Sequence, residues 1–522
     1  MSKPMVVALG MDAVEGPLVE RLVQEGRMPR LAELRRRGLR AEVRSVPKSF
    51  VNSWMVWPTF NTGQSLGTHG WYAHKQWSSE NQHLYHLDPE RLAIHPFWED
   101  IPGGARLALL DVPYSFDPGA GFDGVFLNGW QGPDDLGRSA RPSGLSRSLR
   151  RRVGRRRMEP EIFGPQTART LEHQYREGLE SLDQFAELAA GVLRQERWDL
   201  FLAVLGGAHR ACHYLWSLDQ ADLTGASPED VKELQGARDS LYEAADRALG
   251  RVLDAVPDDA HVLVFALHGM GPNLGWGERF SEIVAHLRAR GEEAPSKEGW
   301  IYRIKSALPW QLVRQVTRRL PRKLNHALVP LWSRRMLDWS STSFFALPND
   351  LTGFLRINVR GRDAEGMVEA GPEQEALMRR LEKELMQLRD LRDDSPIVEA
   401  VERVDDIVGS DAPRRRDLPD LVVRWTPRSS AGCPGIRSPY GELWFSEEQR
   451  IPSGRSGNHT PSAWCVAAGP GIEPGRMERA VDSLELPPTL CHWMGLDPPG
   501  RMEGSPVPEW TTRSGTRSVM PE

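Results

Sequence analysis

Apolar residues in this chain cluster in short unbroken runs, separated by longer stretches in which they recur every three or four positions. Val6-Val-Ala-Leu-Gly-Met11, Asp199-Leu-Phe-Leu-Ala-Val-Leu205, His261-Val-Leu-Val-Phe-Ala-Leu267 and Trp464-Cys-Val-Ala-Ala468 are runs of the first kind. Runs without alternation predict strands buried on both faces, as in a parallel sheet. Shorter runs at 106–113, 124–128, 354–359 and 420–425 predict further strands. Helical spacing falls at Pro17–Arg37, with a break at Pro29, and then at Glu172–Glu196 and 228–255. It returns from Pro372 to about Leu391 and near Leu484–Met494. Strands alternating with helices predict an α/β fold with a doubly wound sheet.

Polar residues stand where the strand runs stop. Asp12 follows the first run, His209 and His213 follow the run ending at Leu205, His268 follows Leu267, and His459 lies in a Gly/Ser-rich stretch before Trp464. Ligands of open α/β sheets gather at the carboxyl ends of strands. If 209–213 is helical, the i, i+4 spacing puts both imidazoles on one face, where they can grasp one metal. Residues 53–70 add a hydroxyl, Ser53, in a stretch holding Trp54, Trp57 and several glycines. A hydroxyl, a carboxylate and imidazoles brought together are the parts of a metal-assisted nucleophile. Ser53 at a helix N-terminus would face unpaired N–H groups that favour an anion. The plainer role for Ser53 is an N-cap.

Composition narrows the class. The 522 residues, 40% hydrophobic and 26% charged, describe a globular chain of one elaborated domain or more. A net charge of -5 gives no whole-molecule case for nucleic acid or an anionic membrane, despite dense arginine at 35–37 and 150–157. The four cysteines, Cys212, Cys433, Cys465 and Cys491, form no CxxC pair and read as buried free thiols. No stretch reaches the roughly 18 apolar residues of a membrane span, and the N-terminal apolar run is too short for a signal peptide. These features predict a cytoplasmic protein. Residues 138–158 read as a basic surface loop, and 296–337 as a basic amphipathic insertion that caps a site. No repeat of fixed period is visible.

Taken in order, Gly10-Met-Asp12, Ser53…Thr62-Gly63…His69-Gly70, His209…His213, His268-Gly-Met-Gly and Gly457-Asn-His459 resemble the type I phosphodiesterase/nucleotide pyrophosphatase branch of the alkaline phosphatase superfamily. Phrases away from these motifs, such as Leu355-Arg-Ile-Asn-Val-Arg-Gly-Arg362 and Leu418-Pro-Asp-Leu-Val-Val423, extend the resemblance along nearly the whole chain. It implies a three-layer doubly wound sandwich with two divalent metals at the C-terminal edge of the sheet. Asp12, Ser53 and His268 would surround the metal on the nucleophile side, and His213 and His459 would hold the other. Ser53 would attack phosphorus and form a phospho-enzyme ester that water hydrolyses. Thr59 is a rival nucleophile. His74 falls where relatives carry an Asn that supports the phosphate.

Two positions depart from the family pattern. His209 and Leu267 each stand where the resemblance implies Asp. The first leaves a ligand set of His209, His213 and His459, a known zinc arrangement with one open position. The second cannot ligate. The implied function is hydrolysis of phosphate esters or anhydrides on a small phosphorylated substrate. It would use one or two divalent ions, zinc rather than magnesium, with manganese the alternative. Transfer of the phosphoryl group to another acceptor, or ligand binding without turnover, are the competing outcomes. The predicted organisation is a catalytic domain of 1–295 and 338–510, the insertion 296–337 and a disordered tail 511–522.

Overall fold

The computed structural model describes residues 4–86, 94–119, 121–131, 138–145, 164–291, 322–445 and 450–511. The expected insertion therefore lies outside the described residues from 296 to 321, the basic loop from 146 to 158, and the tail from 512 onward. The chain divides into two compact units. One comprises Met1–Ser65, Pro89–Pro272 and Gly454–Glu522, the other Leu66–Asp88 and Asn273–Ser453.

The first unit is built on a ten-stranded sheet. In chain order its strands are β1 (Val6–Met11), β2 (Leu39–Arg44), β3 (Leu107–Leu110), β4 (Gly124–Asn128), β5 (Ser139–Arg141), β6 (Leu200–Leu205), β7 (His261–Ala266), β8 (Trp464–Ala468), β9 (Gly475–Arg476) and β10 (Val481–Asp482). Across the sheet the order is β9-β2-β8-β7-β1-β6-β3-β4-β5, with β10 paired to β2. The central strands β7, β1, β6, β3 and β4 are mutually parallel, whereas β8 runs antiparallel to both β7 and β2. The predicted strand runs thus form the middle of the sheet, where both faces are covered.

Alternation along β1 shows how the two faces are used. Met5, Val7, Leu9 and Met11 enter a core with residues such as Leu182, Phe185, Ala211 and Leu249. Those come from α2 (Ala168–Leu193), α3 (Gly207–Leu215) and α4 (Pro228–Leu253). Gly10 faces the other side, beneath α1 (Ser53–Thr62), where a Cβ would stand 2.8 Å from Trp57 Cη2. On that side Phe60 stacks on Phe265 of β7 at 4.9 Å between ring centroids. Helices on both faces give the three-layer doubly wound sandwich. The second helix begins at Ala168, four residues before the expected start, because Thr167 and Thr170 form a capping box there. All four cysteines are buried free thiols.

The second unit has its own four-stranded antiparallel sheet, ordered Phe344–Leu347, Gly353–Ile357, Leu421–Trp425 and Val398–Arg403. Helices Trp276–Gly291 and Pro372–Met386 contribute Phe280, Ile283, Leu381 and Leu385 to its core. Beside the sheet lies a buried ionic network. Arg356 donates to Asp363 Oδ1 at 3.0 and 3.1 Å, and Arg362 grips Asp420 at 2.6 and 2.8 Å. Arg356 also donates to Ser79 Oγ at 2.8 Å and Trp77 Nε1 to Asp363 at 3.2 Å, which ties residues 66–88 to the rest of this unit. Asp420 further accepts the Ile357 amide at 2.7 Å.

Burial alone would raise the Asp420 pKa, but the Arg362 and Arg356 charges hold it well below the ordinary carboxylate range. Its contribution to stability is therefore present above that range and is lost as pH falls through the folded-state value. Asp420→Asn leaves a buried guanidinium without its counter-charge and is expected to cost about 3–5 kcal/mol. Urea unfolding at neutral pH measures that loss, and the variant's stability should fall less steeply below about pH 4 than the wild type's.

Candidate active site

Five chain segments deliver the predicted site residues of the first unit to the carboxyl ends of β1, β6 and β7. Asp12 follows β1 directly. Ser53 opens α1, whose preceding residue Asn52 supplies no side-chain cap. The positive end of that helix is thus left to an anionic ligand. His209 and His213 lie on α3, one turn apart, with ring centroids 5.0 Å from each other. His268 follows β7, and the next residues pair as a ribbon, Gly269–Pro272 with Gly457–Thr460. In that ribbon Met270 lies opposite His459, and the His268 and His459 rings stack at 4.7 Å.

The imidazoles converge. His209 Nε2 lies 2.9 Å from His459 Nε2 and 3.2 Å from His213 Nε2. Among the described residues these three form the group of potential metal ligands, their ligand atoms within 4.8 Å of one another. Zinc–nitrogen bonds of about 2.0–2.1 Å in a tetrahedron separate two nitrogens by roughly 3.3 Å, close to the spacing here. Two of the three outward nitrogens are committed. His209 Nδ1 donates to Asp12 Oδ2 at 2.6 Å, and His213 Nδ1 donates to the Gly457 carbonyl at 2.9 Å. Such partners set the tautomer that turns Nε2 toward a metal. The carbonyl comes this close because residue 457 is glycine: a Cβ there would lie 2.4 Å from the Cys212 carbonyl oxygen on α3. The residues present fit a single divalent ion at this point.

Burial sets the protonation states. His213 and His459 are 4% and 5% exposed. Burial pushes both well below the ordinary imidazole value, with the Arg455 charge adding to it at His213 and the neighbouring His268 adding at His459. Burial also lowers His268 to about 4, against the opposing pull of Asp12. Neutral imidazoles are the form a metal takes. At Asp12 burial would raise the pKa, but the His209 interaction outweighs it and the carboxylate sits at about 2.

Ser53 Oγ lies 2.8 Å from His268 Nε2, and both residues are buried. Asp12 Oδ1 is 3.9 Å from the same nitrogen. The Thr59 hydroxyl donates instead to the Met55 carbonyl of its own helix at 2.9 Å. Leu267 is buried and apolar, as its side chain requires. His74 belongs to the second unit, where its ring is 6.4 Å from that of His86.

The sequence marks Trp57 only as part of the stretch around Ser53, yet its indole N–H donates to Asp12 Oδ1 at 2.8 Å. It does not mark Gln131, whose side-chain oxygen accepts the Gly206 and Gly207 amides at 2.9 and 3.1 Å, at the start of α3. Gln131 in turn donates to Asp111, a carboxylate at a positive φ of 52°. Nothing local in the sequence marks residue 131 as the cap of a helix 76 positions later.

Histidines, a carboxylate and a hydroxyl gathered at strand ends of a doubly wound sandwich define an α/β enzyme with its chemistry at the sheet edge. The chain belongs to the type I phosphodiesterase/nucleotide pyrophosphatase family, whose model matches residues 6–326, and hence to the alkaline phosphatase superfamily. The family is one of phosphoester hydrolases. Solved structures similar to the chain include phosphonoacetate hydrolase from Sinorhizobium meliloti in complex with phosphonoformate, at 15% identity and a TM-score of 0.46, covering 95% of this chain and 99% of that one. Murine ectonucleotide pyrophosphatase/phosphodiesterase 5 in complex with AMP is 12% identical with a TM-score of 0.44, covering 96% and 98%. The human protein of that name is 12% identical with a TM-score of 0.46, covering 97% of each chain. Among curated proteins no sequence matches this chain significantly. No helix among the described residues is long and apolar enough to cross a membrane.

Trp57→Phe keeps a ring over Gly10 but removes the N–H given to the Asp12 carboxylate. Losing a buried hydrogen bond to a charged group is expected to cost about 1–3 kcal/mol. Chemical unfolding of the metal-free variant beside the wild type measures it.

Proposed function

We propose that the protein hydrolyses phosphate esters or anhydrides of small molecules, most naturally diesters, through a phosphoserine at Ser53. The observation that supports this best is the Ser53 hydroxyl, 2.8 Å from His268 Nε2 at the uncapped start of α1, beside three converging imidazoles. Ser53 Oγ attacks phosphorus as its proton passes to His268 Nε2, the Oγ–P bond forms and the bond from phosphorus to the leaving oxygen breaks. The leaving oxygen departs with the bonding electrons and takes a proton from solvent; water then attacks phosphorus and gives a proton to solvent, the Oγ–P bond breaks, and Ser53 Oγ takes its proton back from His268 Nε2. His209, His213 and His459 would hold a divalent ion, zinc rather than magnesium given three nitrogen donors. When bound, the ion supplies Lewis-acid stabilisation of charge developing on phosphoryl oxygens. Amides at the start of α1 face the same charge.

The catalytic domain in this proposal is the discontinuous 1–295 and 338–510, with 296–337 as a cap and 511–522 as a tail. His74 belongs to the second unit, and the proposed reaction assigns it no part. The decisive comparison concerns the two hydroxyls of α1. With zinc or manganese supplied, Ser53→Ala should lose at least about 1,000-fold in turnover, and Thr59→Val should stay within a few-fold of wild type. The reverse pattern makes Thr59 the nucleophile. Failure of the wild type to release product from any monoester, diester or pyrophosphate in a panel overturns the activity itself.

A further inference from the structure

The resemblance implies two ions, with Asp12, Ser53 and His268 around the one beside the nucleophile. The geometry points to a different arrangement: we infer that this chain binds one divalent ion, at His209, His213 and His459, and that Asp12 is a positioning residue for His209 rather than a ligand of a second ion. The inference deepens the proposed function and rests on its assignment of the three-histidine site.

Both Asp12 oxygens already have partners of their own. Oδ2 accepts from His209 Nδ1 at 2.6 Å and Oδ1 from Trp57 Nε1 at 2.8 Å. The indole is held in place by Gly10 beneath it, so its N–H cannot turn away cheaply. The Asp12–His209 contact is the carboxylate–histidine pair that orients a metal-bound imidazole, with Nδ1–H to the carboxylate and Nε2 to the ion. His209 Nε2 is the nitrogen that meets the other two rings.

On the nucleophile side the donors that remain are too few and already paired. The Ser53 hydroxyl and His268 Nε2 are 2.8 Å apart and hydrogen-bonded to each other, so the lone pair of that nitrogen is already engaged. The neighbouring position that the resemblance assigns to a carboxylate is Leu267, which is 1% exposed and brings no donor. A divalent ion there would compete with the Trp57 and His209 hydrogen bonds for Asp12 and replace the one between Ser53 and His268, with a single carboxylate for compensation. The structure therefore gives each group one role: three imidazoles for the ion, Asp12 for the orientation of His209, and His268 for the Ser53 hydroxyl.

The test counts ions and does not depend on turnover. Full-length protein, stripped with chelator, loaded with excess zinc and desalted, is analysed for metal per chain. One zinc per chain is expected, falling to none in His459→Ala. Two per chain in the wild type, or one that survives His459→Ala, overturns the inference. Asp12→Ala should still take one zinc at saturation, with affinity weaker by about 10–100-fold. Loaded with cobalt, it should shift the visible bands of the tetrahedral ion, since the ligand field at His209 changes. Loss of an ion from the saturated count in Asp12→Ala, or unchanged affinity and cobalt spectrum in a folded variant, sinks its assignment as a positioning residue. Leu267→Asp restores the missing carboxylate and checks the converse: a second zinc there identifies Leu267 as what excludes it, and a count still at one shows that the committed Asp12 suffices. An absence of phosphoester turnover with a count of one leaves the metal inference standing and removes only the proposed activity.

Discussion

The site depends on where one carboxylate is held. Asp12 stands at the end of the central strand, where its neighbours on either side, β6 and β7, lead into the histidines. The indole of Trp57 comes from one face of the sheet and the imidazole of His209 from α3, which packs into the core on the other face. Asp12 is the point at which the two helical layers meet through the sheet edge. Its negative charge is stabilised although buried, because each oxygen accepts from a fixed donor. Gly10, two residues before it, is the matching constraint on the backbone: only without a Cβ can the Trp57 ring lie flat enough on β1 to aim its N–H at that oxygen.

The second unit solves a similar problem by another route. Arg356, Asp363, Arg362 and Asp420 bury two positive and two negative groups together, and Arg415 joins them by bridging Asp420 to Asp405, so each buried charge has an opposite one beside it. Nothing in it resembles the first unit's cluster of neutral imidazoles, whose nitrogens approach one another at hydrogen-bond distance. Three Nε2 atoms that close are mutually satisfied only when protons or a cation lie between them. The ionic network has its counter-charges built in, whereas the three imidazoles have the ligand atoms of a possible metal site.

Much of this was legible in the amino-acid order. Unbroken apolar runs gave the strands of the central sheet because only strands covered on both faces can be apolar throughout. The i, i+4 pair at His209 and His213 was readable because helical spacing is a local property. The placement of His459 against His268 was not readable, since it comes from a ribbon that pairs Met270 with His459, 189 positions later. The roles of Trp57 and Gln131 were hidden for the same reason. Each acts through one hydrogen-bonding atom on a partner far along the chain, and no periodicity records that. Naming Asp12 as a candidate site residue left its partner open, because a strand-end carboxylate can face a metal, a ring or an indole with the same sequence around it.

The two departures from the family pattern have one physical consequence. In the proposed mechanism, a histidine rather than a carboxylate at 209 leaves a bound divalent ion with neutral ligands, and Leu267 brings no charge beside His268. With three neutral ligands, the charge of a bound divalent ion is balanced inside the site only by Asp12, one ring further out. In a buried setting that residual positive charge is felt strongly. A phosphoryl group brings the missing negative charge with it, and the developing charge of the transition state brings more. A site that is under-compensated without substrate is therefore closer to balance when phosphorus is being attacked than before, which is the direction that lowers a barrier rather than only tightening binding. Leu267 then contributes by what it omits: an added carboxylate at that point would compensate the ion in advance and leave less for the substrate to do.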